Sequence, residues 1–499
     1  MVSVNVPLND VIYKDLDRLI AQGLIKKDLA GTWPLSRLEM VRLVEEAQAA
    51  WLILPEEERQ GLTVIEASLH RLEKAFRAEL EDSQGVKEAP KTFVKPVDTV
   101  TAAYRYQGGH HSVYNNEGLE YYLGHNGVAD ATLWGRFFGH LGVFAEPRFV
   151  YYQNRGNDAR IKGEEVPEAD VYFQKVNAKV DFWNFEVQYG TDSLWWGPGY
   201  HGAVIMSDNA QPFEMLKISN PIASVLPWIF KYLGLFKYQA FLTKLDSYRL
   251  NPLRPKSEWI TDHDEPYLFG LNLDCKPKPW LELGFNMTSH YREEGDDKLT
   301  ISNHIRAWLA NHNLSGDLDP NSQASFFFNL RWFNFSKYLS IGETLNFYGT
   351  YGTEDTEIRK RYAVQVGISI GDFLKQQGRL DLRVEYIDAS PTLRKVWYTH
   401  PDYPPTYEGR IFGHHVGSDA KDLFARLTWA VTPKWELAFQ GDYEKRGNSL
   451  EASERALQGQ LDFLYWAKDN FNIFGSLGLE KIFNLDFVEG EGEILPFFY

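Results

Sequence analysis

The feature that most limits the fold of this chain is a two-residue alternation of apolar and polar side chains, which continues from residue 97 to residue 499. The clearest example is the pair of segments 271–276 and 281–288, which are separated by a Pro-Lys-Pro turn. In the first segment, Leu and Cys side chains alternate with Asn, Asp and Lys side chains. Because successive side chains of a β-strand point to opposite faces, the pattern predicts a hairpin with one apolar and one polar side.

The same alternation recurs along the rest of the chain. Further examples are residues 178–182, 185–189, 380–386, 423–429 and 435–440. Segments of about ten residues can cross a bilayer at a tilt, and here tight turns alternate with long polar connections such as 154–168 and 398–421. A soluble sandwich would place the polar side outermost, whereas a membrane barrel places it in the lumen. We therefore predict a mainly β fold, a transmembrane antiparallel β-barrel of roughly 16 to 18 strands.

Composition agrees with a barrel and excludes several other classes. Aromatic residues make up 15% of the chain, which suits aromatic girdles at two membrane interfaces or a surface that stacks on sugars. No run of 18 or more apolar residues occurs, so the sequence predicts no transmembrane helix. The net charge of −16 makes nucleic acid an unfavourable partner. The single cysteine, Cys275, excludes an intrachain disulfide framework and a cysteine-cluster metal site.

Residues 8–84 have helical rather than strand periodicity. A first helix is predicted over 11–20 and ends near Gly23, and Ser36 can cap a second one in a capping box with Glu39. A third helix is predicted over 63–80. The polar, proline-flanked segment 83–96 then reads as a linker. We accordingly divide the chain into a helical plug domain with its linker, residues 1–90, and a barrel domain, residues 91–499.

The most distinctive motif is TDSLWWGPGYHGAVIMSDNAQP at 191–212. Pro198 lacks a backbone N–H, and Gly197 and Gly199 on either side of it can adopt positive φ, so the motif interrupts a sheet. From the residue types alone, a structural corner in which Trp195 and Trp196 pack is favoured over a binding site.

The sequence WWGPG followed by SDNAQP resembles the signature of the capsule assembly Wzi family. The resemblance implies an outer-membrane barrel of a Gram-negative bacterium that holds capsular polysaccharide at the cell surface. Its implied partners are that polysaccharide and outer-membrane lipid, with peptidoglycan or other envelope proteins as further candidates. The N-terminal helices look like the periplasmic plug of this family, and they are also similar to a single S-layer-homology repeat, a module associated with cell-wall attachment; we favour the plug.

The first residues contain neither a charged region nor an apolar core of the kind a signal peptide has. If the barrel is correct, we expect the numbering to be that of the mature chain with an added or retained methionine.

Catalytic and metal-binding motifs are not found in a convincing context. The pairs His110-His111 and His414-His415 fall in predicted loops, and we interpret both as solvated. The acidic pairs Glu164-Glu165 and Glu293-Glu294 are interpreted as solvated loop charges. We predict no enzyme activity, no cofactor and no metal site.

Binding of a glycan is better supported than catalysis. Aromatic faces stack on sugar C–H surfaces, and planar polar groups pair with hydroxyls. The predicted glycan-binding residues around the motif are Trp195, Trp196, Tyr200, His201, Asp208 and Asn209. Candidate charged residues of the lumen are Arg136, Lys179, Asp181 and Arg383, which could contact an acidic glycan or simply balance charge within a wet barrel.

We predict a non-catalytic, lectin-like barrel that binds or organises surface polysaccharide through many weak contacts. One alternative is a porin or sugar channel, which requires an open lumen and a plug that moves. Another is a structural tether, in which the N-terminal segment binds cell wall.

Overall fold

The computed structural model describes most of the 499-residue chain. The described residues are 2–109, 113–153, 168–246, 248–249, 261–262, 265–292, 300–308, 321–354, 361–390, 397 and 404–499. His110-His111, Glu164-Glu165 and Glu293-Glu294 lie outside the described residues, as do 154–167 and 398–403 of the two predicted long loops.

Eighteen antiparallel strands form a closed barrel in the described part of the chain, if the short strand Ser224–Val225 is counted as the continuation of β6 because both pair with β7. The strands are β1 Phe93–Gln107, β2 Gly124–Phe137, β3 Leu141–Tyr152, β4 Ala169–Phe182, β5 Phe185–Asp192, β6 Phe213–Ser219, β7 Leu235–Lys244, β8 Tyr267–Lys278, β9 Leu281–Tyr291, β10 Asn321–Trp332, β11 Thr344–Glu354, β12 Tyr362–Gly371, β13 Leu380–Asp388, β14 Ala420–Thr432, β15 Trp435–Arg446, β16 Glu454–Lys468, β17 Phe471–Phe483 and β18 Gly492–Phe498. Each strand pairs with the next, and β18 closes on β1 through Phe498 and Tyr106. The predicted barrel and its strand number are confirmed.

The alternation predicted for the hairpin of β8 and β9 is present in the structure. Asn272, Asp274 and Lys276 are buried on the lumen side, whereas the Leu and Cys residues between them are only half-buried. The strands extend further than predicted, because Lys278 already pairs with Leu281 and the turn shrinks to two residues. Polar side chains therefore fill the inside of the barrel, and apolar side chains face outward.

The two ends of the barrel differ. At one end, which we call the short-turn end, tight connections such as 138–140 and 183–184 join the strands. The other end, the long-loop end, carries connections such as 193–212 and 389–419. Large exposed aromatic side chains collect at the short-turn end, as one interface girdle of a membrane barrel requires. They include Phe138, Trp183, Trp228, Tyr232 and Tyr338.

The N-terminal residues form five helices, which we call the plug helices. They are α1 Ile12–Ala21, α2 Arg37–Ile53, α3 Glu56–Gly61, α4 Thr63–Ala75 and α5 Arg77–Ser83. The sequence predicts three helices, but the third breaks at Phe76 and a short α3 precedes it. The linker prediction is wrong at its end, because residues 93–96 already belong to β1.

The caps of the first two helices follow the sequence signals only in part. Gly23 adopts φ +78° after α1, and the Ser36 hydroxyl accepts a hydrogen bond from the Glu39 N–H at 3.0 Å. Glu39 does not complete the capping box. Its carboxylate instead pairs with Arg42 and accepts the backbone N–H of Ala223 at 3.0 Å, which ties α2 to the barrel.

Buried ion pairs attach the plug helices and the segment that follows α1 to the barrel wall near its short-turn end. Arg18 of α1 donates to Glu436 of β15. Asp28 accepts two hydrogen bonds from Arg331 of β10, at 2.5 and 3.0 Å. A charge this deeply buried is stable only with its partner, so these pairs fix where the helices sit. No helix among the described residues has the length and apolar character needed to span a membrane.

Candidate functional site

The WWGPG motif enters the lumen from the long-loop end and meets the segment that follows α1. Trp195 and Trp196 pair antiparallel with Trp33 and Thr32, and the Gly197 N–H donates to the Gly31 carbonyl oxygen at 3.0 Å. Thr32 in turn donates to Asn272 of β8 at 2.7 Å. The motif is therefore held between the N-terminal segment and the wall, in the interior of the barrel.

Trp196 is part of the core. Its side chain is fully buried, and its indole N–H donates to Gln239 of β7 at 2.8 Å. The ring packs against Phe241 with 5.5 Å between centroids. Trp196 therefore serves the fold.

The Gly-Pro-Gly turn aims the next two residues at the wall. Gly197 has φ +111°, and a Cβ at Gly199 would lie 2.1 Å from the Gly202 carbonyl oxygen, so both positions require glycine. Beyond the turn, the backbone N–H groups of Tyr200 and His201 donate to the two oxygens of Glu385 at 2.7 and 2.8 Å.

A cavity of about 470 Å³ lies between the plug helices, this turn and the barrel wall. Three of the predicted glycan-binding residues line it, namely Trp195, Tyr200 and Asp208. Arg383, predicted as a lumen charge, lines it too and places its guanidinium 4.2 Å from the Tyr200 ring centroid. The cavity thus combines aromatic faces with charged groups and has the volume of a small-ligand site.

Asp208 and Asn209 follow the motif on a buried turn. The Asn209 amide donates to the Ile411 carbonyl oxygen at 2.8 Å, so this side chain serves the fold. Asp208 is buried, and its Oδ1 has no hydrogen-bond partner. Burial, and to a smaller extent the charge of Glu117, raises the pKa of Asp208 to about 7.

The interpretation of His414-His415 as solvated loop residues is wrong. Both are buried, because the loop before β14 folds into the lumen instead of projecting into solvent. His415 Nε2 lies 3.4 Å from Asp422 Oδ2 and 3.2 Å from Glu444 Oε1. His201, predicted to bind glycan, joins them and is 3.2 Å from Asp442 Oδ2.

The pKa values of His201 and His414 shift in opposite directions. Burial lowers the pKa of His201, but the carboxylates of Asp422 and Asp442 outweigh burial and raise the pKa above the ordinary value. Burial lowers the pKa of His414 well below the ordinary value, and the neighbouring His415 and His201 act in the same direction.

The other three predicted lumen charges lie on inward positions near the short-turn end. Lys179 is 3.2 Å from Glu186 and donates to Asn5 at 2.9 Å, so it pairs within the protein. Asp181 pairs with His140 at 3.0 Å. Arg136 is buried with its guanidinium 5.4 Å from the Phe93 ring centroid. None of these three lines the cavity.

Several residues of this region were not singled out from the sequence. Glu385 anchors the turn, and Asp422, Asp442 and Glu444 surround the histidines. The alternation in β13, β14 and β15 places each of them on the lumen face. That signal gives the face but does not indicate which loop will fold against it.

Comparison with known proteins gives a consistent result. The family model described as "Capsule assembly protein Wzi" matches residues 103–494. A Klebsiella pneumoniae protein described as an uncharacterized 55.8 kDa protein in the cps region is 24% identical over 346 residues, which is 68% of this chain. The match spans 56% of the length of that relative.

One solved structure shares the architecture over its whole length. The Escherichia coli protein Wzi, described as an outer-membrane protein involved in group 1 capsule assembly and a carbohydrate-binding β-barrel, aligns with TM-score 0.69 and 17% identity. The alignment covers 99% of this chain and 98% of that one. Acinetobacter baumannii OccAB2 aligns with TM-score 0.45 and 10% identity over 80% of this chain and 96% of its own.

Proposed function

The chain belongs to the capsule assembly protein Wzi family, and from this membership we propose that it is a non-catalytic outer-membrane barrel that binds surface polysaccharide. Its role is to retain or organise the polymer at the cell surface, as a lectin does. Many weak contacts along one repeating polymer supply avidity.

The observation that carries this proposal is the attachment of the helices inside the lumen. Arg18 pairs with Glu436 and Asp28 with Arg331, all four side chains being buried. A plug that moved aside would leave these charges unpaired in a poorly solvated interior, which is costly. The arrangement supports a plugged barrel and argues against a transport channel.

We propose that a sugar unit contacts the cavity through Trp195 and Tyr200, with Arg383 and Asp208 as polar partners. Tyr200 presents one face to Arg383, and Trp195 donates its indole N–H to the Gly199 carbonyl oxygen at 3.0 Å, which fixes its ring. Rigid aromatic rings lose little entropy when they stack on a sugar. Trp196 and Asn209 hold this surface in place.

The test is calorimetric binding of fragments of the source organism's own surface polysaccharide to the full chain in detergent. We expect the wild type to bind and Trp195→Ala to bind about ten-fold more weakly, the loss of one stacking contact. Trp183→Ala is the matched control. This side chain is 98% exposed at the short-turn end, so its removal should leave the affinity for the fragments unchanged.

Two results would count against the proposal. Failure of the wild type to bind the fragments would remove the lectin role. Equal affinity of the wild type and Trp195→Ala would retain that role but move the contact away from the cavity.

A further inference from the structure

Three histidines and three carboxylates meet inside the barrel, above the cavity and toward the long-loop end. His201 comes from the connection between β5 and β6, and His414 and His415 come from the connection before β14. The carboxylates are on inward positions of β14 and β15. They are Asp422, Asp442 and Glu444, and Asp422 is directly opposite Glu444 in the register.

The distances in this cluster match those between ligands of one metal ion. His201 Nε2 is 3.2 Å from Asp442 Oδ2, and a ligand atom of His415 lies within 4.8 Å of both. Two ligands bound tetrahedrally at about 2.1 Å are about 3.4 Å apart. The cluster is therefore close to the required spacing before any ion is added.

Unused polar atoms provide a second, independent observation. The Nδ1 atom of His415 and one oxygen each of Asp422 and Asp442 are buried and have no hydrogen-bond partner. Buried polar atoms without partners are costly, and each such atom calls for a ligand, a water or an ion. Imidazole nitrogen and carboxylate oxygen are the donors that zinc and its neighbours in the first transition row accept.

Charge balance also favours a cation. Among the described residues, Arg446 is the one arginine or lysine that forms an ion pair with these three carboxylates, at 2.6 Å from Glu444. Like charges opposite each other on neighbouring strands repel. A bound metal ion requires the histidines to be neutral, and with Arg446 counted the three carboxylates then leave two negative charges, which one divalent ion neutralises.

We propose that His201, His415 and Asp442 bind one divalent transition ion of the zinc type. Its fourth position takes a water or another oxygen. The rings are already held in place, because His201 stacks on Phe424 at 3.9 Å and His415 stacks on Tyr114 at 4.3 Å between centroids. The ion joins two long-loop connections to β15 and so fastens them inside the lumen.

The test uses Co²⁺ and Zn²⁺ with the full chain in detergent, after chelation and dialysis. We expect one Co²⁺ per chain with the visible absorption of a tetrahedral site, displaced by one equivalent of Zn²⁺. His415→Gln and Asp442→Asn should each weaken binding at least about 100-fold. Heat-modifiable gel migration checks that both variants form the barrel, and Asp442→Asn is the near-isosteric change of the two.

Two controls separate this site from its neighbours. His140→Gln should bind as the wild type does, because His140 pairs with one carboxylate, Asp181, outside the cluster. His414→Gln should also retain binding, although His414, His415 and Asp422 form a second possible triad.

Three results would overturn the proposal. The first is no stoichiometric Co²⁺ binding to the wild type, and the second is equal binding to the wild type, His415→Gln and Asp442→Asn. The third is loss of binding in His414→Gln with retention in His201→Gln, which would assign the ion to the other triad. None of these depends on whether the chain binds polysaccharide.

Discussion

Gly197 donates its backbone N–H to the carbonyl oxygen of Gly31 at 3.0 Å, and this bond joins the long-loop motif to the N-terminal segment. Each of the two segments is attached to the wall as well, Gly31 through its N–H to Glu282 at 2.9 Å. The motif and the N-terminal segment therefore brace each other across the lumen. A substitution that displaces one of these segments is therefore expected to destabilise the other.

Gly31→Ala tests this bracing. A Cβ at residue 31 would lie 2.1 Å from the Phe327 ring and 2.8 Å from Asp274, so the segment must move away from the wall. We expect a loss of about 1 to 3 kcal/mol in stability and faster proteolysis of the helices. Gly459→Ala in β16 is the control, because a Cβ there meets nothing within 4 Å. Equal protease resistance of Gly31→Ala and wild type would contradict the bracing.

Asp28→Asn tests whether buried ion pairs keep the lumen closed. The substitution removes the anion that faces Arg331 and Lys276 and leaves two buried cations without it, a cost of about 3 to 5 kcal/mol. In planar bilayers we expect no conductance from the wild type and intermittent openings from Asp28→Asn.

The control for this measurement is Asp469→Asn. Its pair with Lys74 has a similar N to O distance of 3.0 Å, but both side chains are about two-fifths exposed. Exposed pairs contribute about 0 to 1 kcal/mol, so the control should stay closed. Steady conductance from the wild type would instead favour a channel.

Much of the barrel could be predicted from the sequence because the signal is local. In β8, Asn272 and Lys276 alternate with leucines, and that alone gives the strand and the side that faces the lumen. Helix capping by Ser36 is equally local. The number of strands follows from the length of the chain and from the repetition of the alternating segments. The domain division at residue 90 stays a prediction, because the helices lie within the barrel and share buried contacts with it.

The site could not be predicted in the same way because its contacts are distant in sequence. Glu385 lies 185 residues from Tyr200, and no local pattern indicates that the two meet. His414 and His415 sit in a polar stretch that is typical of a solvated loop, yet the loop folds inward. Whether a loop enters the lumen depends on which lumen-facing polar groups it can pair with. Those groups come together only in the assembled barrel.

Asp208 should make stability depend on pH. Its folded pKa of about 7 exceeds the ordinary 3.8, so the folded chain keeps a proton that the unfolded chain releases between these values. Stability should therefore fall as pH rises from about 4 to about 7, by up to about 4 kcal/mol, and level off above. Asp208→Asn should show a smaller fall in thermal unfolding across this range. Identical slopes for the two proteins would contradict a buried, protonated Asp208.

Trp195 and Trp196 are adjacent, but their substitution should affect different properties, glycan affinity for Trp195 and stability for Trp196. Trp196 is fully buried on Phe241 and donates to Gln239, so Trp196→Ala should cost about 3 to 5 kcal/mol and leave Gln239 Oε1 without its donor. Trp195 is only half-buried and lines the cavity. Trp195→Ala should therefore reduce stability less than Trp196→Ala does, and it should reduce glycan affinity more. Thermal unfolding and calorimetric binding of both variants check this division. If Trp195→Ala proved as destabilised as Trp196→Ala with unchanged affinity, both indoles would be structural.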